Sequence, residues 1–443
     1  MRRIRTGSRA TGTLTNAALA AVTTLVAVTG CGVGGSNGAA AQQSVATDAP
    51  LKGEITFQTW SLKNDKFTPY FTALIKDFES QHPGTTVNWI DQPGDGYPDK
   101  VTSQVTSGSL PDVINLPPDI AHAVAKVGGL LDLTKNVPTL ARDYVASGLH
   151  AYTYADLGDT AKDSYGFPWY LGTDVSFWNK AMLQRDGLDP ANLPKTFDEL
   201  LSQARTMHDR SGGKDYLMSR PPGLSDIVNS GTTLMSPDGK KFVFNTPAAA
   251  AVLDKYTAAF AAGYLPSDVL TSTYEGNSTL FTKQVVAWTT GGGNYIQSTQ
   301  QSNPTLAPQI IPSPALDTAP LYVQGISVAA RSKNLPLALA FGRFVTDNAN
   351  QVAFIKLAPG FLPGSAASAG DPAYSRSDGT PQGDASVIAY KDMQTAVNFT
   401  PPVWTDAMNT NLNQQIALAM TGKESAKQAL DNAVDQANQL LGQ

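Results

Sequence analysis

The sequence predicts an α/β protein of two doubly wound lobes, and three observations carry that prediction. The chain has 443 residues, more than one compact core usually holds. Between about residues 54 and 127 the apolar residues switch between a period of two and a period of 3.6, in the order βαβαβα. From Val175 onward a second region again mixes strand and helix signals. Strands joined by helical crossovers must pair in parallel, which makes the first region a doubly wound lobe.

Glu54-Ile55-Thr56-Phe57-Gln58-Thr59 alternates polar and apolar residues and predicts the first strand. Phe67, Tyr70, Phe71, Leu74, Ile75 and Phe78 recur at helical spacing, with Asn64 or Asp65 as N-cap and His82-Pro83-Gly84 as the stop. Thr86–Ile90 and Asp112–Leu116 predict two more strands, each followed by a helix, over 97–108 and from Pro118 to Val127. In the second region strands are expected at Val175–Trp178, Lys241–Phe244, Gln284–Thr289 and 322–330. Thr196-Phe197-Asp198-Glu199 is a capping box that opens a helix. Asn245 or Thr246 followed by Pro247 opens another. One long helix is expected over 336–357 and two at the end, over 404–421 and 425–441.

Composition narrows the function. A net charge of −5 argues against a groove that tracks phosphates, so no nucleic-acid partner is expected. The single cysteine, Cys31, excludes an intrachain disulfide and a zinc site built on several cysteines. His82, His122, His150 and His208 are scattered without metal-ligand spacing. Neither a metal nor a cofactor is expected. Gly291-Gly292-Gly293 lacks the strand–GxGxxG–helix setting of a dinucleotide site. The five glutamates fall mostly at strand starts, caps or exposed faces, and there is no Gly-x-Ser-x-Gly elbow. These features argue against a hydrolase, and a secreted glycosidase is the enzymatic alternative.

The N-terminus carries an address. Arg2, Arg3, Arg5 and Arg9 precede an apolar run from about Ala17 to Val28, then Val28-Thr29-Gly30-Cys31. This is a secretory signal over 1–30 whose ending resembles the bacterial lipobox. That resemblance implies cleavage before Cys31, acylation of its thiol and new amino terminus, and a lipid-anchored tether over 31–50. The expected location is the extracellular face of the cell membrane.

Ligands of doubly wound sheets sit beyond the carboxyl ends of the strands. Three segments lie there, and they carry Trp60, Lys63, Asn64, Asp65, Asp95, Tyr97 and Asp119. Aromatic faces beside hydrogen-bonding groups suit a polar ligand. Asp65 and Asp119 also fit helix caps.

Several segments bring a family into view. They are Ser107–Val113, Tyr165-Gly166-Phe167-Pro168-Trp169-Tyr170, Phe177-Trp178-Asn179-Lys180, Pro194–Leu200, Phe281–Gly292 and Gly325–Phe344. In order and spacing they resemble the sugar-binding family of extracellular solute-binding proteins of ABC importers, the family that includes maltose-binding protein. The resemblance implies a type II periplasmic-binding-protein-like fold, two lobes closing on a ligand by hinge bending. Its lobes would be 51–167 with 327–363, and 168–326 with 364–443, with crossings near 166–171, 322–327 and 360–370. It implies a monomer that passes a mono- or oligosaccharide to a permease without altering it. A polyamine or peptide is the alternative solute.

Sugars offer hydroxyls and apolar C–H faces, so aromatic plates with carboxylates, amides or Arg suit them. On the resemblance, Trp169 and Tyr170 fall in the hinge segment. Trp404 follows Pro401-Pro402, where the family often stacks an aromatic ring on sugar. Arg220 lies in a loop aimed at the cleft, and Gly292 and Asn294 follow Trp288, whose strand alternation also fits a core position. Trp89, Trp178 and Asp112 are read as structural. No acidic residue stands out in the hinge segment, where Gly172-Thr173-Asp174 occurs, and this leaves the sugar type open.

Overall fold

The computed structural model describes Val45, residues 50–158 and residues 163–442. The expected signal and most of the tether, Cys31 included, lie outside the described residues. Among the described residues nine strands form: β1 (Gly53–Trp60), β2 (Thr85–Gln92), β3 (Val113–Leu116), β4 (Phe167–Thr173), β5 (Val175–Asn179), β6 (Trp288–Gly291), β7 (Ile310–Ser313), β8 (Leu321–Val328) and β9 (Leu362–Pro363).

β1 pairs in parallel with β2 along its full length, from Gly53 opposite Thr85 to Trp60 opposite Gln92, and in parallel with β3. The helices Thr68–Gln81 and Tyr97–Thr106 make the crossovers. The first of these buries Phe71, Leu74 and Phe78, one stripe at helical spacing. The sheet continues in the order β2-β1-β3-β8-β4-β9, and β8 runs antiparallel to both neighbours. Phe57, Phe71, Phe78, Phe167 and Phe341 are buried in the core beneath it. Each such ring contributes about 1.5–3 kcal/mol relative to exposure.

The second sheet is smaller, in the order β6-β5-β7, and antiparallel throughout. The chain changes sheet at Asp174, the single residue between β4 and β5. The expected lobe boundaries at 167/168 and 326/327 fall inside β4 and β8. Both strands belong to the six-stranded sheet over their whole lengths. The return passes from β7 to β8 beside Val397. There Leu321 N–H donates to the Val397 carbonyl and Val397 N–H to the Ala319 carbonyl.

Four local expectations change. The helix expected over 336–357 is two, Leu335–Val345 and Asn348–Leu357. Asp347 breaks it, because its carboxylate caps the second helix by accepting the Asn350 N–H at 2.8 Å. Lys241–Phe244 forms no sheet strand, only one bridge between Met235 and Phe242. The Asn438 side chain takes both backbone groups of Phe242 instead, accepting its N–H at 2.8 Å and donating to its carbonyl at 3.0 Å. The strand expected at 284–289 begins only at Trp288, since Gln284 sits at φ +58 in a turn. Asn64, expected as a helix cap, lies one turn early. Its Oδ1 accepts the N–H groups of Lys66 and Phe67, and the helix opens at Thr68.

Thr196 and Thr246 cap their helices as expected, Phe197–Ser211 and Pro247–Ala261. The final helices, Asp406–Met420 and Ala426–Leu441, bury Leu412, Ile416, Leu430 and Val434 in the core that also holds Leu253 and Tyr256. Among the described residues no helix is long and apolar enough to cross a membrane.

Candidate functional site

Two adjoining hollows of about 410 Å³ each share Leu321, Tyr322, Asn398 and Thr400 in their walls. Together they form one cleft that receives residues from both sheets. One half is aromatic, with Trp60, Tyr170, Tyr322, Phe361 and Trp404 beside Asp119 and Gln324. The other half is polar, with Asp174, Arg220, Asp226, Thr290 and Asp317 beside Phe197 and Trp288.

Local structure explains each position. Trp60 ends β1 and stacks on Tyr97 at 5.6 Å between centroids and 27° between planes. Tyr97 is buried beneath it, donating to the Asn115 carbonyl at 2.8 Å, so it supports the plate without reaching the cleft. Trp404 rests edge-on against Phe242, at 5.2 Å, and Phe244, at 6.0 Å. The pairing of β4 with β8 shifts between Pro168 and Tyr170, so strict alternation is interrupted at Trp169. The two rings lie 5.0 Å apart and both pack on Phe354, but Tyr170 is half-buried and lines the cleft while Trp169 is enclosed. Trp169 is 0% exposed, with its ring 4.7 Å from that of Phe354. The expectation that Trp169 contacts ligand is corrected on that ground.

The loop after β1 also departs from expectation. The Asp91 carboxylate holds it by accepting the N–H groups of Leu62 and Lys63. Lys63 lies over the Trp89 ring at 5.1 Å, and Asn64 is used in the turn. Asp65 is exposed. None of the three lines the cleft. Gly292 and Asn294 also stand outside its walls. Asn294 packs so tightly on Gly360 that a β-carbon there would overlap its amide.

Arg220 is built in firmly. It donates to both oxygens of Asp226 at 2.7 Å, a bidentate pair. Its guanidinium sits 5.8 Å from the ring centroids of Phe197 and Trp288 and 6.0 Å from that of Tyr256. Burial opposes its charge, but Asp226 outweighs burial and the group stays protonated. Trp288 is only 2% exposed and donates from Nε1 to Ser176 Oγ at 3.2 Å. It is mainly packing, with one edge on the cleft. Trp178 and Trp89 are packing as expected, donating to Ser313 Oγ and Thr59 Oγ1. Asp112 is a structural turn, bonded to Thr56 and Ser332.

The sequence reading missed the acid at the crossing. Asp174 Oδ2 accepts the Tyr322 hydroxyl of β8 at 3.2 Å and the Thr290 hydroxyl of β6 at 3.3 Å. It thus joins the two sheets where the chain passes between them. Burial pushes its carboxyl above the usual range, and the two hydroxyls only partly offset this. The available signal was an acid standing alone between two apolar strands. Tyr322, Gln324, Asn398 and Thr400 were also missed. The alternation of Leu321-Tyr322-Val323-Gln324 does put the two polar residues on one face.

A six-stranded and a three-stranded sheet that meet at an aromatic and polar cleft, with helices packed around them, give the type II periplasmic-binding-protein-like fold of solute-binding proteins. Comparison with known proteins agrees. A crystal structure of a candidate oligosaccharide periplasmic-binding protein from Synechococcus sp. MITs9220 is 25% identical with a TM-score of 0.73, covering 88% of this chain and 99% of that one. The sugar-binding protein MalE from Xanthomonas citri matches at a TM-score of 0.71 and 17% identity, covering 88% and 98%. The diacetylchitobiose binding protein DasA of Streptomyces coelicolor is 26% identical over 301 residues, 65% of this chain and 68% of that protein. Residues 64–352 match the family profile described as bacterial extracellular solute-binding protein, and the chain belongs to that family.

Proposed function

We propose that this protein captures an oligosaccharide outside the cell and delivers it, unaltered, to the permease of an ABC importer. The observation that carries the reading is the cleft itself: aromatic plates on one half, hydrogen-bonding side chains on the other. Sugar rings have apolar faces and hydroxyl edges, which such walls match. Two hollows in series suit a ligand of at least two rings. The diacetylchitobiose named for DasA supports the same ligand class.

The lobes we infer are built on the six-stranded and three-stranded sheets. They hinge at Thr173–Asp174, Ala319–Leu321 and Val397–Asn398. The protein works as a monomer, tethered by lipid on Cys31 to the outer face of the membrane. Cleft closure on ligand, not chemistry, is the signal the permease reads.

A thermal-shift panel of oligosaccharides tests the binding claim. Ligand at a hundredfold excess over Kd stabilises the folded form by about 2.7 kcal/mol. A matching hydrolysis assay should return the sugar intact. Flat melting curves across the panel, or breakdown of the sugar, would refute the function.

A further inference from the structure

The charges around the cleft do not balance. Among the described residues Asp119, Asp174, Asp226 and Asp317 line it against one guanidinium, Arg220, with no Lys or His. Arg220 is committed to Asp226 through both of its terminal nitrogens. Asp119, Asp174 and Asp317 have no ion-pair partner among the described residues. Among the described residues the Asp317 carboxylate accepts only the Phe197 N–H, at 3.1 Å, and that of Asp174 only the two hydroxyls.

A neutral sugar hydroxyl can donate to any of these carboxylates, but it leaves their charge uncancelled. A cleft lined by one sign of charge between low-dielectric walls concentrates its field and attracts the opposite charge. The rings at the other half, Trp60 and Trp404 among them, present faces that also favour a cation. Anionic sugars face three unpaired carboxylates and are disfavoured.

We propose that the ligand is an amino sugar, an oligosaccharide carrying a protonated amine, with that amine directed at Asp174. The proposal rests on the sugar reading above and narrows it by charge. The Asp174 carboxyl, already pushed up by burial, regains a stable charged form when an ammonium group sits beside it.

Titration calorimetry on the purified full chain tests this with a matched pair. Chitobiose carries two free amines, and N,N′-diacetylchitobiose has the same skeleton with neutral amides. Maltotriose serves as a neutral sugar and spermidine as a cation without a sugar. Chitobiose should bind about tenfold tighter than its diacetyl form at low ionic strength, equivalent to about 1.4 kcal/mol. The preference should shrink as salt screens the charges. Asp174→Asn should bring the ratio of the two Kd values close to one, whatever it does to either Kd alone. The salt series on the unaltered protein gives a reading even if the variant folds poorly. Equal or tighter binding of neutral sugar, insensitive to salt, would overturn the charge proposal and leave the sugar reading intact. Binding of spermidine with no sugar bound at all would overturn both.

Discussion

Replacing Trp60 with alanine separates a ligand-stacking role from a packing role. The ring lines the cleft on one side and stacks on Tyr97 on the other. Its indole N–H is buried with no acceptor among the described residues. Removing the ring loses a stack worth about 0.5–1.5 kcal/mol. It also removes an unpaired buried donor that costs about 1–3 kcal/mol. These two terms oppose each other, but the indole's apolar packing against the core is lost as well, so the empty protein should melt at a lower temperature, by an amount the thermal melts measure. The ligand has no such compensation. A sugar ring that covers roughly 60 Å² of apolar surface on the indole loses about 1.5 kcal/mol at 25 cal/mol per Å². That is about a tenfold rise in Kd. Trp60→Phe keeps a plate in place and should stay within about threefold. Calorimetry with the sugar identified by screening, alongside thermal melts of both variants, measures each part. An unchanged Kd for Trp60→Ala in a normally folded protein would refute stacking at this wall.

Three further outcomes follow from other contacts. Arg220→Ala leaves the buried Asp226 unpaired and should cost about 3–5 kcal/mol, seen as a large drop in melting temperature, with Arg220→Lys recovering part of it. Gly325→Ala should destabilise by about 1–3 kcal/mol in denaturant titration. Its β-carbon would overlap the hydroxyl of fully buried Tyr152, which donates to the Leu116 carbonyl at 2.7 Å, while Gly166 closes the other side of that ring. Burial raises the folded-state pKa of Asp174 above the ordinary 3.8. Its contribution to stability is therefore complete below about pH 3.8 and lost as pH rises through the raised value. Melting curves against pH should show this loss in the native protein and lack it in Asp174→Asn. The absence of any difference between the two curves would contradict the assignment.

Strong periodicity made the first sheet legible. β1, β2 and β3 and their crossover helices follow from alternation and helical spacing that burial then enforces. Side-chain capping was readable where a Thr preceded a helix directly, as at Thr196 and Thr246. Tertiary partners overrode local pattern elsewhere. Asn438 satisfied Phe242 from nearly two hundred residues away, and Asp347 split an otherwise continuous apolar helix. The cleft was only partly legible for a related reason. Trp60, Tyr170, Arg220 and Trp404 stand in it, but Trp169 does not, because an irregularity in β4 leaves its ring enclosed against Phe354 beside Tyr170. Asp174 gains its meaning only when β6 and β8 bring Thr290 and Tyr322 to it. No pattern within a single segment encodes that meeting.

The most direct test of the whole account is a small-angle scattering and calorimetry titration of the protein with the sugar found by screening. The account predicts saturable binding of one intact oligosaccharide per chain, with a smaller radius of gyration as the lobes close. Saturable binding with no change in dimensions would contradict the closure mechanism, and recovery of cleaved sugar would contradict the central claim that this cleft only binds.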